Sequence, residues 1–472
     1  MKRPLCVALL AAQLCFTAGA LSAPNFVVIM AEAQGWASSS VQMDPAAADS
    51  KSSLAQTPAL KALAEGGARF THFYAASPRC MPTRAALLTG RSPAALHMTY
   101  IGEGKKDDAT EQGRKLIPPA CSLELSGALT TIAELLKKQG YATAHFGKWH
   151  AGRAHPSTHG FDESDGPTSN IGPGKEDDPN PKEAFAIAER GSNFMTRQKE
   201  AGRPFYLQVS HYPGYGAASV RPETYAEVRR RAKPGDEKLV DSVAVTEDMD
   251  ATIGRLLAQL EALGLADNTY VVYTSDHGSK GQNTNSPLAN GKGTVWEGGI
   301  RVPLLIRGPK IKPLSFVPQR ASTVDLFPTI AALAGVQEPL PPGVEGTNLI
   351  PVLFGSPETP LARKREELVI HFPHYDKDAL GPASVLLLRN EKLVRVYETN
   401  TLRLYDLSKD RGERQDLAAS QPARAAELDK KLSLYLESVQ AQMPVPNPSF
   451  DPSKELPKAQ KGPRKKDKPA SL

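Results

Sequence analysis

The sequence predicts an α/β fold: a mostly parallel central sheet flanked by helices, followed by a smaller C-terminal antiparallel α+β subdomain. Two patterns carry that reading. Up to about residue 360, short β-branched apolar runs without polar alternation, the mark of strands buried on both faces, alternate with amphipathic helical stripes. Beyond it, strands follow one another through short connections and end in a single helix.

The first buried strand is Pro24-Asn25-Phe26-Val27-Val28-Ile29-Met30. Thr57-Pro58 opens a helix with Leu60, Leu63 and Ala64 at helical spacing, and a second helix runs from Thr130 through Ile132, Leu135 and Leu136 to Gly140. Strands are expected at 141–146, 205–210 and 269–274, with a helix over 243–263 whose stripe is Met249, Ile253, Leu256, Leu257 and Leu260. In the last part, strands at 368–371, 384–388, 392–397 and 402–407 precede a helix at 422–439. The expected division is a signal peptide over 1–23, a catalytic α/β domain over 24–360, an α+β subdomain over 361–445 and a disordered basic tail over 446–472.

Charge excludes one class of function. The net charge is +6, of which Lys2 and Arg3 supply two and the segment 451–472, with seven Lys/Arg against three Asp/Glu, supplies four. The rest is neutral, so no basic body exists to grip a nucleic acid. Lys2 and Arg3 precede the apolar run Leu5 to Ala20, with small residues at Ala18, Ala20 and Ala23. That is the pattern of a secretory signal, implying export to the periplasm or beyond, and no later segment has the 18 apolar residues of a membrane span. Cys6 and Cys15 leave with the signal, and Cys80 and Cys121 are too few for a disulfide scaffold.

The most specific segment is Cys80-Met81-Pro82-Thr83-Arg84-Ala85-Ala86-Leu87-Leu88-Thr89-Gly90-Arg91. Pro82 suits the first turn of a helix, which puts Cys80 where backbone N–H groups favour an anion and Arg84 one turn further on. Alone, such a cysteine is more often a structural thiol, and Lys148 beside Trp149 more often a surface lysine. Lys292 lies between two glycines, a setting that suits close approach to an oxyanion. Asp276 and His277 directly follow a buried strand, at the end of the sheet where ligands bind.

Cys-x-Pro-x-Arg followed by Leu-Thr-Gly-Arg resembles the maturation signature of the type I sulfatases. Other segments resemble that family in the same order: Gly147-Lys148-Trp149-His150, Thr274-Ser275-Asp276-His277-Gly278, Gly291-Lys292-Gly293-Thr294 through Val302-Pro303, Val324-Asp325-Leu326-Phe327-Pro328 and Leu404-Tyr405-Asp406-Leu407. The resemblance implies an alkaline-phosphatase-like fold and a sulfuric ester hydrolase of the arylsulfatase kind. It also implies that a maturation enzyme oxidises Cys80 to formylglycine, whose hydrate attacks sulfur. On the same pattern His150 deprotonates the second hydroxyl, Arg84 and Lys148 hold nucleophile and sulfate, and Lys292 binds sulfate oxygens. A divalent cation, calcium in the family pattern, would be held by Glu32, Asp276, His277 and an oxygen of the modified Cys80.

Two positions depart from the pattern. The family carries two aspartates after the first strand; here they are Glu32, still an oxygen donor, and Ala33, which offers none. Beyond the strand at 205–210, Tyr215 stands where relatives place a substrate-binding histidine, and His211 is the nearest imidazole. His211 and Tyr215 are therefore the candidates for contacting the substrate oxygen, beside Lys148 and Lys292. The expected function is hydrolysis of sulfate monoesters of a sulfated saccharide. The alternatives are a catalytically degraded relative that binds sulfated glycans, or a phosphohydrolase with Cys80 unmodified.

Overall fold

The computed structural model describes residues 23–101, 113–170, 172, 181–214, 217–280 and 284–454. The expected signal peptide, but for Ala23, lies outside these residues, as does the tail beyond Lys454.

The described residues form an eight-stranded sheet in the spatial order Ser315–Val317, Ala68–Phe70, Leu304–Arg307, Thr269–Ser275, Asn25–Ala31, Phe205–Ser210, Ala142–Gly147, Glu163–Ser164. All pairings are parallel except the two made by Leu304–Arg307. Asn25–Ala31 is central and wholly buried, as its unbroken apolar run requires. Asn25 holds the strand starts together: its Oδ1 accepts from Phe205 N at 3.2 Å and its Nδ2 donates to Thr269 Oγ1 at 3.4 Å.

One face of the sheet packs helices Pro58–Glu65, Ala184–Glu200 and Val240–Ala262, with Leu60, Phe194, Ile253 and Leu256 against Val27, Ile29, Leu207 and Val271. The other packs Cys80–Thr89, Ile132–Lys138 and Leu326–Leu333, with Leu87, Leu136 and Phe327 against Phe26, Val28 and Met30. Helix Ala184–Glu200 went unread in the sequence because small residues carry part of its buried stripe. At Gly191 a Cβ would stand 3.0 Å from Leu256 Cδ2, so two helices meet closely there.

The C-terminal sheet is an antiparallel meander of Leu368–Phe372, Ala383–Leu388, Glu391–Val396 and Thr401–Asp406. Leu428, Leu432 and Leu436 of helix Pro422–Ser438 cover one face through Leu386, Leu393 and Leu404. Ile370, Val385 and Val394 on the other face pack against Tyr74, Val295 and Ile300 of the large domain. The tail is structured further than expected from 446. Val445–Pro446 pairs with Leu116–Ile117, and Asn447 bonds Lys115 O at 2.9 Å and Arg114 O at 2.8 Å, so backbone pairing rather than apolar periodicity orders this stretch.

A buried ion cluster crosses between the two sheets. Lys392 Nζ lies 3.2 Å from Glu297 Oε1 and 2.7 Å from Glu413 Oε1, and the Tyr74 hydroxyl donates to Glu297 Oε2 at 3.0 Å. Burial pushes the Glu413 carboxyl up to about 7 even with Lys392 beside it. Lys392→Met should destabilise the protein by about 3–5 kcal/mol in denaturant unfolding at pH 8, because Glu413 loses its cation and Glu297 keeps only Arg301, whose Nη1 stands 3.7 Å from its Oε2. The loss should shrink toward pH 5, where the stranded carboxyls take up protons on folding; an equal loss at both pH values would contradict the assignment.

Candidate active site

Register builds the site. Met30 is level with Ser210 and Thr274, Ala31 with Ser275, and Gly147 with Ser210, so four neighbouring strands end together. The residue after each end is Glu32, His211, Asp276 or Lys148. Gly147 makes the last turn possible: its φ is 93°, and a Cβ there would stand 1.9 Å from Ser210 O.

The helix Cys80–Thr89 faces this row. Pro82 in its first turn wastes no N–H, Thr83 Oγ1 closes back on Ser77 N and O, and Gly90 ends the helix in the left-handed region at φ 66°. Cys80 is its first residue and only 1% exposed. Arg84, also buried, donates from Nη1 to Lys148 O at 2.6 Å and from Nη2 to Asp276 Oδ2 at 3.0 Å and Glu32 Oε2 at 3.3 Å.

Glu32 is the hub of the charges. Lys148 Nζ bonds its Oε2 at 2.7 Å and Lys292 Nζ its Oε1 at 2.9 Å. Burial alone would raise the Glu32 carboxyl, but Lys148 and Lys292 hold it well below the usual carboxylate range. Asp276 is raised, by burial and then by the charge on Glu32. Burial would also raise the Cys80 thiol, yet Lys148, Lys292 and a hydrogen bond with His150 bring it well below its ordinary value. The backbone holds His150 at φ 45°, with its N–H on Thr168 O at 2.9 Å.

His277 completes the acidic group. Its Nδ1 is 3.0 Å from Gly278 O, a carbonyl that only accepts, so Nδ1 carries the hydrogen. Nε2 is buried without a hydrogen-bond partner, 3.4 Å from Asp276 Oδ1 and 3.6 Å from Glu32 Oε1. Nε2 facing two carboxylates is satisfied by a proton on that nitrogen or by a cation held between the three groups. The ligand atoms of Glu32, Cys80, Asp276 and His277 lie within 4.8 Å of one another, which fits one divalent ion. Ala33 contributes only its N–H, donated to Asp276 Oδ1 at 3.1 Å.

The structure thus brings together Glu32, Cys80, Arg84, Lys148, His150, Asp276, His277 and Lys292. His211 is directed elsewhere: its Nε2 meets Thr252 Oγ1 at 2.9 Å on the helix Val240–Ala262, and burial pushes it down to about 4. Tyr215 lies outside the described residues. Sequence reading missed Asn170, whose Oδ1 accepts from Lys148 Nζ at 2.7 Å, and Arg79, whose guanidinium is clamped by both oxygens of Asp376. Neither had a local signal. His371 and His374 are taken up by Ser384 Oγ at 2.6 Å and Thr99 Oγ1 at 2.7 Å.

Comparison with known proteins places this geometry. The family model of the sulfatases matches residues 24–336, and that of the N-sulphoglucosamine sulphohydrolase C-terminal part matches 290–442. Human N-acetylgalactosamine-6-sulfatase is 31% identical over 381 residues, spanning 71% of this chain and 67% of its own. The structure of Ps i-CgsB in complex with k-i-k-neocarrahexaose shares the fold with a TM-score of 0.70 at 23% identity, covering 88% of this chain and 92% of its own. A protein solved with its substrate D-glucosamine-2-N,6-O-disulfate does so with a TM-score of 0.64 at 20% identity, covering 88% and 98%. The chain belongs to the sulfatase family, within the alkaline-phosphatase-like superfamily, and is a sulfuric ester hydrolase.

Ala33 yields the prediction for this site. Its φ of 56° lies in the left-handed region, which aspartate tolerates better than alanine, so Ala33→Asp should fold without strain. The added carboxylate should tighten binding of a divalent cation by about tenfold, read by calorimetry and thermal stabilisation with added calcium. Glu32→Asp together with Ala33→Asp should bind more tightly still, since the shorter side chain makes room for the new one. Unchanged affinity in both variants would rule out a ligand position at 33.

Proposed function

We propose that the protein is an exported sulfatase that hydrolyses a sulfate monoester of a saccharide through a formylglycine made from Cys80. The observation that carries this reading is the convergence of Cys80, at a helix N-terminus, with Lys148, His150 and Lys292 on one buried row of strand ends. Such a site suits an anion whose charge must be held while sulfur is attacked in line. Formylglycine supplies, as its hydrate, one hydroxyl as nucleophile and a second whose deprotonation expels sulfate.

Each side chain has a task on this reading. His150, whose imidazole helps lower the Cys80 thiol, takes the proton from the second hydroxyl. Lys148 and Lys292 bind sulfate oxygens, and Arg84 holds the nucleophile's position. Glu32, Asp276 and His277, with an oxygen of the modified Cys80, hold a divalent cation, calcium by family pattern, whose charge favours the attacking oxygen as an anion. Lys292, at the rim of the row, is the group best placed to meet the leaving oxygen, because His211 faces Thr252.

The rest of the reading concerns the chain before and around the site. The Lys2-Arg3 and Leu5–Ala20 pattern supports export, with a signal over 1–23 ahead of a catalytic domain over 24–360 and a subdomain over 361–445. Cys80 is 1% exposed, so a maturation enzyme has to reach it before the chain folds. A saccharide substrate is supported by what the relatives act on or bind: N-acetylgalactosamine-6-sulfate by name, and a disulfated glucosamine in a solved complex.

The decisive experiment joins mass analysis of the Cys80 peptide to a turnover panel of aryl sulfate and sulfated oligosaccharides. The peptide should be lighter than its cysteine form, since CH2SH is replaced by CHO. Cys80→Ala should lower turnover by about 10⁴-fold or more while the unfolding midpoint barely moves, because the lost group is small. A wild-type-like rate from Cys80→Ala would end the formylglycine mechanism.

A further inference from the structure

The loop between the first two strands of the C-terminal sheet, residues 373–382, reaches back to the site. Asp376 clamps Arg79, the residue before Cys80, with both carboxylate oxygens. The same carboxylate lies against Gly293, the residue after Lys292: a Cβ there would stand 2.6 Å from Asp376 Oδ2. Asp376 is thereby wedged between the segment that carries Cys80 and the segment that carries Lys292. Lys377 comes next, and its side chain is exposed at the rim.

The ammonium of Lys377 is surrounded by like charge. Partial burial, then Arg79, Lys292 and Lys280, lower its pKa to about 8, with Asp376 as the opposing influence. Arg79 has Asp376 as its partner and Lys292 has Glu32. The Asp376 carboxylate is committed to Arg79, and among the described residues no carboxylate forms an ion pair with Lys377. Lys280 is also exposed, four residues after Asp276. A cation that follows Asp376, beside the segments of Arg79 and Lys292, costs Coulomb energy in the free protein, and an anion placed against it recovers it. A cation at the rim meets what protrudes from the site, not the sulfur under attack.

We propose that Lys377 forms a subsite for a second anionic group of the substrate, a sulfate ester or carboxylate on the saccharide that carries the scissile sulfate. This rests on the sulfatase reading above and adds the substrate class, a polyanionic saccharide.

The test compares the parent with Lys377→Met and Lys377→Arg on an aryl sulfate, a disulfated disaccharide and a monosulfated disaccharide bearing a uronate. Lys377→Met should raise KM for a dianionic substrate about tenfold, the worth of one charge-assisted hydrogen bond, at unchanged kcat. KM for the aryl sulfate should stay, and Lys377→Arg should restore the parent value. The difference between parent and Lys377→Met should fade above pH 8, where the parent's ammonium is lost. An effect on both dianions, or on one alone, supports the subsite and says which anion it takes. An equal rise for all three substrates, no rise for either dianion, or a fall in kcat with KM unchanged would overturn it; the last would mark Lys377 as a proton donor. Calorimetric titration of the disulfated disaccharide into Cys80→Ala, with and without Lys377→Met, reads the same contact without turnover. If the parent hydrolysed none of the three, the sulfatase reading would fall, and this titration would still decide the subsite by a tenfold loss or none.

Discussion

The site depends on one buried cation. Arg84 lies in the middle of the molecule, and burial works against its charge while Asp276 and then Glu32 outweigh that cost. A guanidinium in such a place has to be paired and hydrogen-bonded on every side. Its three contacts, Lys148 O, Asp276 and Glu32, belong to three different strand ends. Satisfying one side chain therefore fixes the helix that begins at Cys80 against the whole carboxyl edge of the sheet. The chemistry inherits its geometry from an electrostatic requirement of folding.

The same requirement explains how the chain accommodates glutamate and alanine where its family has two aspartates. Arg84, Lys148 and Lys292 bring three positive charges to a space from which water is largely excluded. One carboxylate fewer would leave them poorly balanced. The extra methylene of Glu32 lets a single carboxylate reach both lysines, one on each oxygen. Asp276 and the thiolate of Cys80 supply the remaining negative charge. Glu32 thus belongs at once to the lysine pair and to the group proposed to hold a cation, which couples the two more tightly than separate aspartates would.

Much of this was legible in the sequence, for identifiable reasons. Buried parallel strands are written as unbroken apolar runs, so Asn25–Ala31, Phe205–Ser210 and Thr269–Ser275 stood out, and residues just past them were natural candidates. Pro82 and Gly90 marked both ends of the helix that carries Cys80. Contacts between distant segments had no such mark. Arg79 and Asp376 are 297 positions apart, and nothing near either one names the other. Lys392 sits in an alternating strand where a lysine reads as solvent-facing, yet it is wholly buried between two glutamates. Periodicity reports which side of an element is covered; it says nothing of what covers it. His211 shows the limit from the other side: its place after a strand was legible, but its direction was set by Thr252 on a helix more than forty positions on.

The C-terminal subdomain is a wall of the site as much as an appendage. It grips the segment 291–301 at two points. At one end Asp376 packs against Gly293 while holding Arg79; at the other Lys392 and Glu413 enclose Glu297, with Glu413 Oε2 accepting from Glu297 N at 2.7 Å. Lys292 lies at the start of that segment, so the lysine proposed to meet the substrate is positioned by a part of the chain with no strand, among the described residues, in the central sheet. Residue 360 divides two folding patterns, but the site spans them. Substitutions in the loop 373–382 can then alter which substrates enter without disturbing the buried row, because that row is held by Arg84 and the strand register. Stability and substrate choice are assigned to different contacts, and the segment 291–301 is where the two meet.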